Sequence, residues 1–187
     1  MPEALEDLAA QAGWLLSHVR PLLADDPESR IRVSPSSVLD AVARALRDGH
    51  GAVAPPDVEV REGLPEVRVD PDALHHVLLT LVRSGREAME GGKDAVVSAR
   101  RKGGSVVFTV RDSAARAPGR RRSPSAPPRG RALALEIAQA LAVRDGGAMT
   151  TRRTASGTEV CLAFPALRAS GASPRKPRRR LVRVKRS

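Results

Sequence analysis

Three segments with helical spacing alternate with pairs of short runs in which every second residue is apolar, and this order constrains the fold most. The strongest helical segment follows Asp70-Pro71, and the others run from about Pro35 to Gly49 and from about Arg131 to Val143. The paired runs lie around Val58/Val60 and Val67/Val69, over Ala95–Ala99 and Val106–Val110, and over Ala148–Arg153 and Glu159–Phe164. Strand pairs separated by helices predict an α+β fold. We expect a two-layer α/β sandwich, a mixed, mostly antiparallel sheet with three helices on one face.

Both ends of the chain differ from this central part. Residues 4–23 carry apolar side chains on one helical face and predict an N-terminal helix. A polar break follows, which places an N-terminal helix and linker at residues 1–29 and the sandwich at residues 30–166. Residues 167–187 are basic and of low complexity, and they predict a disordered tail.

Composition limits both the core and the compartment. Only 2% of the residues are aromatic and there is no tyrosine, so the core must be built from Ala, Val and Leu. The single cysteine, Cys161, cannot form an internal disulfide and is expected to be a small core residue, which favours a reducing cytoplasm. No apolar run is long enough for a transmembrane helix, and the N-terminus does not resemble a signal peptide. The predicted location is cytoplasmic.

The positive charge is confined to two segments. Of the net charge of +11, residues 166–187 contribute +9 and residues 111–131 contribute +6, so the remainder is acidic overall. The high isoelectric point therefore describes a tail and a loop. It does not indicate a basic groove in the folded part.

Four stretches in this order resemble the ATP-binding domain of sensor histidine kinases, a branch of the Bergerat (GHKL) ATPase fold. The stretches are VDPDALHHVLLTLVRSGREAMEGG (69–92), VRDSAARAPG (110–119), GRALALEIAQALA (130–142) and the predicted hairpin from Gly146-Gly147 to Gly157-Thr158. The resemblance covers about residues 33–165. It implies an adenine-binding role for Asp112, which would accept a hydrogen bond from the base, and for Thr158.

The positions that the resemblance assigns to metal and phosphate are altered. Ser84 stands where the family has the asparagine that holds Mg²⁺, and Thr80 replaces an earlier asparagine. Glycines that approach the nucleotide are replaced by Ala114, Arg116, Ala132 and Ala134. We therefore expect no metal site and no required cofactor, although ATP or ADP could still use the adenine end.

The resemblance also suggests roles for the two flanking helical and basic segments. Residues 1–29 are similar to the end of a dimerisation helix, which makes a homodimer through residues 4–23 a candidate assembly. His18 lies in a stretch faintly similar to the phosphoacceptor box, but it aligns better as the tail of the second dimerisation helix. Residues 112–130 occupy the place of the ATP lid, and the lid arginines are Arg116, Arg120, Arg121, Arg122 and Arg129.

The sequence allows three interpretations of this predicted lid. The arginines could replace the lost magnesium by binding phosphates directly. Ser123 or Ser125 could be phosphorylated. The plainest reading is a solvated loop without a fixed structure.

The sequence predicts a degenerate histidine-kinase-like ATPase module that acts in two-component-type signalling as a non-catalytic binding or regulatory protein with a protein partner. One alternative is a domain that still uses ATP together with a partner. The other is a nucleic-acid-associated protein acting through residues 168–187, which could neutralise phosphates or another polyanion but lack aromatic residues for stacking.

Overall fold

The computed structural model describes residues 27–48, 57–87, 95–113, 129–154, 157–168 and 179–182. After a short 3-10 helix over Pro27–Ser29, these ranges contain three α-helices and eight strands. The helices are α1 (Pro35–Asp48), α2 (Pro71–Glu87) and α3 (Arg129–Arg144). The strands are β1 (Ile31–Val33), β2 (Asp57–Arg61), β3 (Val67–Val69), β4 (Ala95–Lys102), β5 (Ser105–Ser113), β6 (Ala148–Thr154), β7 (Gly157–Pro165) and β8 (Arg179–Val182).

Six strands form the main sheet in the order β6-β7-β5-β4-β2-β8. The β2–β4 pair is parallel and the other four pairs are antiparallel. A parallel pair requires a crossover connection, and here the chain passes through β3 and α2 between its two strands. The predicted α+β sandwich with a mostly antiparallel sheet and three helices is confirmed.

Strand alternation directs one face of the sheet toward the helices. Along the β5–β7 pair, Val106, Phe108 and Val110 lie opposite Phe164, Leu162 and Val160, and all six side chains are buried. The rings of Phe108 and Phe164 meet edge to face with centroids 6.1 Å apart. The two phenylalanines therefore form the aromatic centre of a core otherwise built mainly from Ala, Val and Leu.

The helix ends follow from local chemistry. The Asp70 carboxylate accepts hydrogen bonds from the backbone N–H groups of Asp72 and Ala73 and caps α2, with Pro71 at its first position. At the end of α3, Gly146 has a φ of 72° and the Gly147 N–H donates to the Ala142 carbonyl at 2.7 Å. This arrangement is a Schellman motif, and the positive φ favours glycine.

Three features differ from the sequence predictions. Strand β1 was not expected because three residues give too little pattern, and it pairs with β3 in a separate two-stranded sheet. Cys161 is only half-buried, since it lies on the sheet face away from the helices beside Thr109. The expected disordered tail contains β8, whose backbone pairs with β2, the strand that would otherwise be the edge of the sheet.

The predicted N-terminal helix, residues 4–23, lies outside the described residues, as does most of the predicted lid. Within the described ranges, no helix is long and apolar enough to cross a membrane.

Candidate functional site

Asp112 lies near the end of β5 with only 6% of its surface exposed. The pairing of β5 with β7 places it opposite Thr158, whose backbone N–H donates to Asp112 Oδ1 at 2.6 Å. The other carboxylate oxygen, Oδ2, accepts a short hydrogen bond from Arg131 Nη2. Each carboxylate oxygen is thus bonded to a group of the protein itself.

Arg131 reaches Asp112 from the first turn of α3. Its side chain is only 10% exposed, and its Nη1 atom lies 3.2 Å from the position where a Cβ at Gly85 would stand. Asp112 Oδ2 lies at the same distance from that position. The Arg131 guanidinium group and the Asp112 side chain therefore both pack directly against Gly85 of α2.

Ser84 lies next to Gly85 on α2 and is also buried. Its hydroxyl donates to the Leu81 carbonyl within the same helix at 3.1 Å. Thr80, one turn earlier, is buried as well. A neutral hydroxyl bonded back into its own helix is a poor replacement for the oxygen ligands that Mg²⁺ prefers.

The two alanines of the third stretch have different surroundings. Ala132 is half-buried in the first turn of α3, whereas Ala134 is 1% exposed and belongs to the hydrophobic core. Ala132 is next to Arg131 in the sequence and is partly accessible, whereas Ala134 is not.

The remaining predicted site residues cannot be placed. Ala114, Arg116, Arg120, Arg121 and Arg122 lie outside the described residues, and Arg129 begins α3 without a described side chain. The hypotheses about the lid, and that about His18, stay predictions. In the described ranges, no group of three or more His, Cys, Asp or Glu side chains could hold a metal ion.

ATP with Mg²⁺ is the group that the sequence resemblance implies, and the described residues do not fit it. The Asp112 carboxylate, which the resemblance assigns to adenine, is already hydrogen-bonded to the Arg131 guanidinium. The Ser84 hydroxyl offers Mg²⁺ a weak ligand already bonded to Leu81. Asp112 and Thr158, both of which the resemblance assigns to adenine, are in contact through the Thr158 backbone N–H.

Sequence reasoning missed Arg131. A signal for it exists, because α3 has no acidic residue in its first turn and begins instead with Arg129 and Arg131. Positive charge is unfavourable at the N-terminus of a helix unless an anion lies nearby. An arginine at this position therefore indicates an acidic partner, and the nearest acidic residue before it in the chain is Asp112.

Structural comparison identifies the fold class. The chain superposes on full-length ShkA in complex with AMPPNP with a TM-score of 0.63 and 23% identity, covering 92% of this chain and 40% of that one. It superposes on the histidine kinase AdeS of Acinetobacter baumannii with a TM-score of 0.58 and 15% identity, covering 88% and 83%. The ATP binding domain of PrrB from Mycobacterium tuberculosis gives a TM-score of 0.54 and 15% identity, covering 75% and 99%.

The chain has the fold of the ATP-binding domain of histidine kinases, a kinase-like ATPase fold. The family resemblance stated from the sequence is confirmed at the level of the fold. The chain spans only 40% of the ShkA structure. No protein-family model matches the sequence, and no curated protein matches it.

Proposed function

We propose that the chain is a degenerate histidine-kinase-like ATPase module that serves two-component-type signalling as a non-catalytic binding or regulatory protein. The ion pair between Arg131 and Asp112 is the observation that carries the proposal. In this ion pair the Asp112 carboxylate, which would accept a hydrogen bond from adenine, binds the Arg131 guanidinium instead. The module would then act through its surfaces and its fold rather than through nucleotide turnover.

The altered metal position supports the same conclusion. Phosphoryl transfer depends mainly on positioning the phosphates and stabilising their charge, and Mg²⁺ usually does much of both. Ser84 is buried, neutral and bonded to Leu81, so it contributes little to either task. A pocket with a filled adenine end and a weak metal position has two independent obstacles to kinase chemistry.

A signalling partner is part of the proposal. Histidine-kinase-like domains work beside other signalling proteins, and we propose that this module binds a protein partner in such a pathway. A homodimer through residues 4–23 and a polyanion bound by residues 168–187 are further proposals that rest on sequence patterns alone.

A second candidate function has one observation in its favour. Asp112 and Thr158 occupy the adenine-binding positions and lie in contact, so a displaced Arg131 would leave both available to a nucleotide. In this alternative the chain binds ATP and works with a partner. The lid arginines would then contact the phosphates in place of a metal.

Calorimetric titration of the full chain with ATP and Mg²⁺ separates the two candidates. We expect no binding heat at millimolar ATP, while circular dichroism shows that the protein is folded. Binding of ATP that disappears in Asp112→Asn, with or without Mg²⁺, would overturn the proposal and support the ATP-dependent alternative. Thr150→Ala, at an exposed position on β6, serves as the control substitution.

A further inference from the structure

An apolar groove runs along the outer side of α3. Leu135, Ala140 and Val143 of α3 and Met149 of β6 line it, and its volume is about 700 Å³. Val143 is 62% exposed, and Ile31 is the other large hydrophobic residue exposed in the described part of the chain. We call this feature the α3–β6 groove. An exposed valine in such a groove costs free energy unless another apolar surface covers it.

A second cavity adjoins the end of the groove. It has a volume of about 400 Å³, and Arg30, Arg68 and Arg144 line it together with Asp145. Arg144 also lines the α3–β6 groove, so the two features meet at the C-terminal end of α3. We call this second feature the arginine cavity. Its three guanidinium groups face the Asp145 carboxylate and, through Arg144, the Asp70 carboxylate, so a net positive charge remains.

The chain enters the described fold at this same place. Arg30 Nε lies 3.3 Å from Asp145 Oδ1, and Asp145 directly follows Arg144. Residues 1–26 therefore connect to the domain, through Pro27–Ser29, beside both features. Ile31 and Val143 each lie within two residues of this ion pair in sequence, so both exposed apolar residues are near the entry point.

We propose that residues 4–26 of the chain pack against their own domain, with the apolar face of residues 4–23 in the α3–β6 groove. Their apolar residues recur at helical spacing: Leu5, Leu8, Ala12, Leu15, Leu16, Val19 and Leu22. A helix over these residues is about 30 Å long, and α3 is about 24 Å long. The segment can thus cover the whole groove, parallel to α3, and continue into Arg30 without reversing direction.

Charge complementarity indicates that the C-terminal end of residues 4–26 lies at the arginine cavity. Asp25 and Asp26 stand four to five residues before Arg30, and no basic residue lies between Arg20 and Arg30. Their two carboxylates match the positive arginine cavity at the end of the groove. The segment therefore presents an apolar face followed by an acidic end, in the same order as the two features along the domain.

The segment's own domain is the preferred partner, rather than a second copy. Only residues 24–26 separate the apolar stretch from the described fold, and so short a connection gives an effective concentration in the millimolar range or above. The homodimer through residues 4–23 is therefore the competing arrangement, in which a second copy would have to displace this intramolecular contact. The packing of residues 4–26 on the domain does not depend on nucleotide binding. Its test is therefore independent of the test of the proposed function.

Disulfide trapping in the full chain tests the packing. In a Cys161→Ser background, Leu22→Cys is combined with Val143→Cys, and in a second protein Val19→Cys is combined with Ala140→Cys. If residues 4–23 form a helix parallel to α3, the two residues of each pair lie opposite each other along the helix axes. The control combines Leu22→Cys with Arg83→Cys, since Arg83 is exposed on α2 about 20 Å along that helix from Asp70. Non-reducing electrophoresis and mass spectrometry of the oxidised proteins give the result.

At least one groove pair should form a disulfide within one chain much faster than the control pair. Disulfides between two chains would show that a second copy occupies the groove and would overturn the proposal. Equal rates for groove and control pairs would also overturn it. A second measurement avoids cysteine: Val143→Asp should speed amide exchange in residues 4–23 by about tenfold, whereas Arg83→Asp should leave it unchanged.

Discussion

Arg131 and Asp112 form a buried ion pair across the base of the basic segment that separates β5 from α3. The two residues are 19 positions apart, and the pair fixes both ends of the residues between them. Closing a loop of this length costs conformational entropy, and a charge-assisted contact at its base offsets that cost. The same contact fills the space beside Gly85. One interaction thus gives structural support to the domain and engages the carboxylate that the resemblance assigns to adenine.

The ion pair should contribute to stability. Asp112→Asn leaves the Arg131 guanidinium buried without its counter-ion, and we expect a loss of about 3 kcal/mol in the free energy of unfolding. Urea denaturation of wild type, Asp112→Asn, Arg131→Met and the double variant measures it. In the double-mutant cycle that these four proteins form, we expect a coupling energy of about 2 kcal/mol between Asp112 and Arg131. Additive effects of the two substitutions would show that the pair does not act as a unit.

Removing the arginine should open the adenine end. Arg131→Ala deletes the guanidinium that binds the Asp112 carboxylate beside Gly85, so we expect weak binding of adenosine or ADP at millimolar concentration and none in wild type. Calorimetry or ligand-observed NMR detects it. Binding should not require Mg²⁺, because Ser84 remains the residue at the metal position.

The matched variant Arg131→Ala/Asp112→Asn should lose this binding again. If Arg131→Ala remains folded and binds no adenosine, then a filled adenine end is not what prevents nucleotide binding.

Gly147 should not tolerate a side chain. A Cβ there would collide with the Ala163 carbonyl oxygen of β7 and stand 2.8 Å from Phe164 Cδ1. We expect Gly147→Ala to cost about 2 kcal/mol by overpacking, measured as a lower midpoint in thermal or urea unfolding. Gly104→Ala is the control, since a Cβ at Gly104 meets nothing within 4 Å. Equal effects of the two substitutions would contradict the close approach of Gly147 to β7.

The aromatic pair should dominate the core. Phe108→Ala removes a fully buried ring in edge-to-face contact with Phe164, and the expected loss is about 4 kcal/mol. Ile31→Ala should cost only about 1 kcal/mol, because just the buried part of that half-exposed side chain contributes to stability. Chemical denaturation of both variants gives the comparison. A small effect at Phe108 would mean that the small aliphatic residues can repack around the gap.

The sequence by itself determined the elements and the fold class. The helical spacing after Asp70-Pro71, the alternation in β5 and β7 and the glycines at Gly146-Gly147 are local signals, because a pattern of period two or 3.6 and a positive φ depend on near neighbours. These features can be predicted from the sequence alone.

Only the tertiary structure decided what occupies the site. Arg131 and Asp112 are 19 residues apart, and this separation in sequence does not predict that the guanidinium contacts the carboxylate beside Gly85. Strands β1 and β8 were missed for a related reason, since three or four residues form a strand only when a partner strand supplies the hydrogen bonds. Short-range patterns arise from the backbone, whereas contacts between distant residues arise from how the helices and the sheet pack.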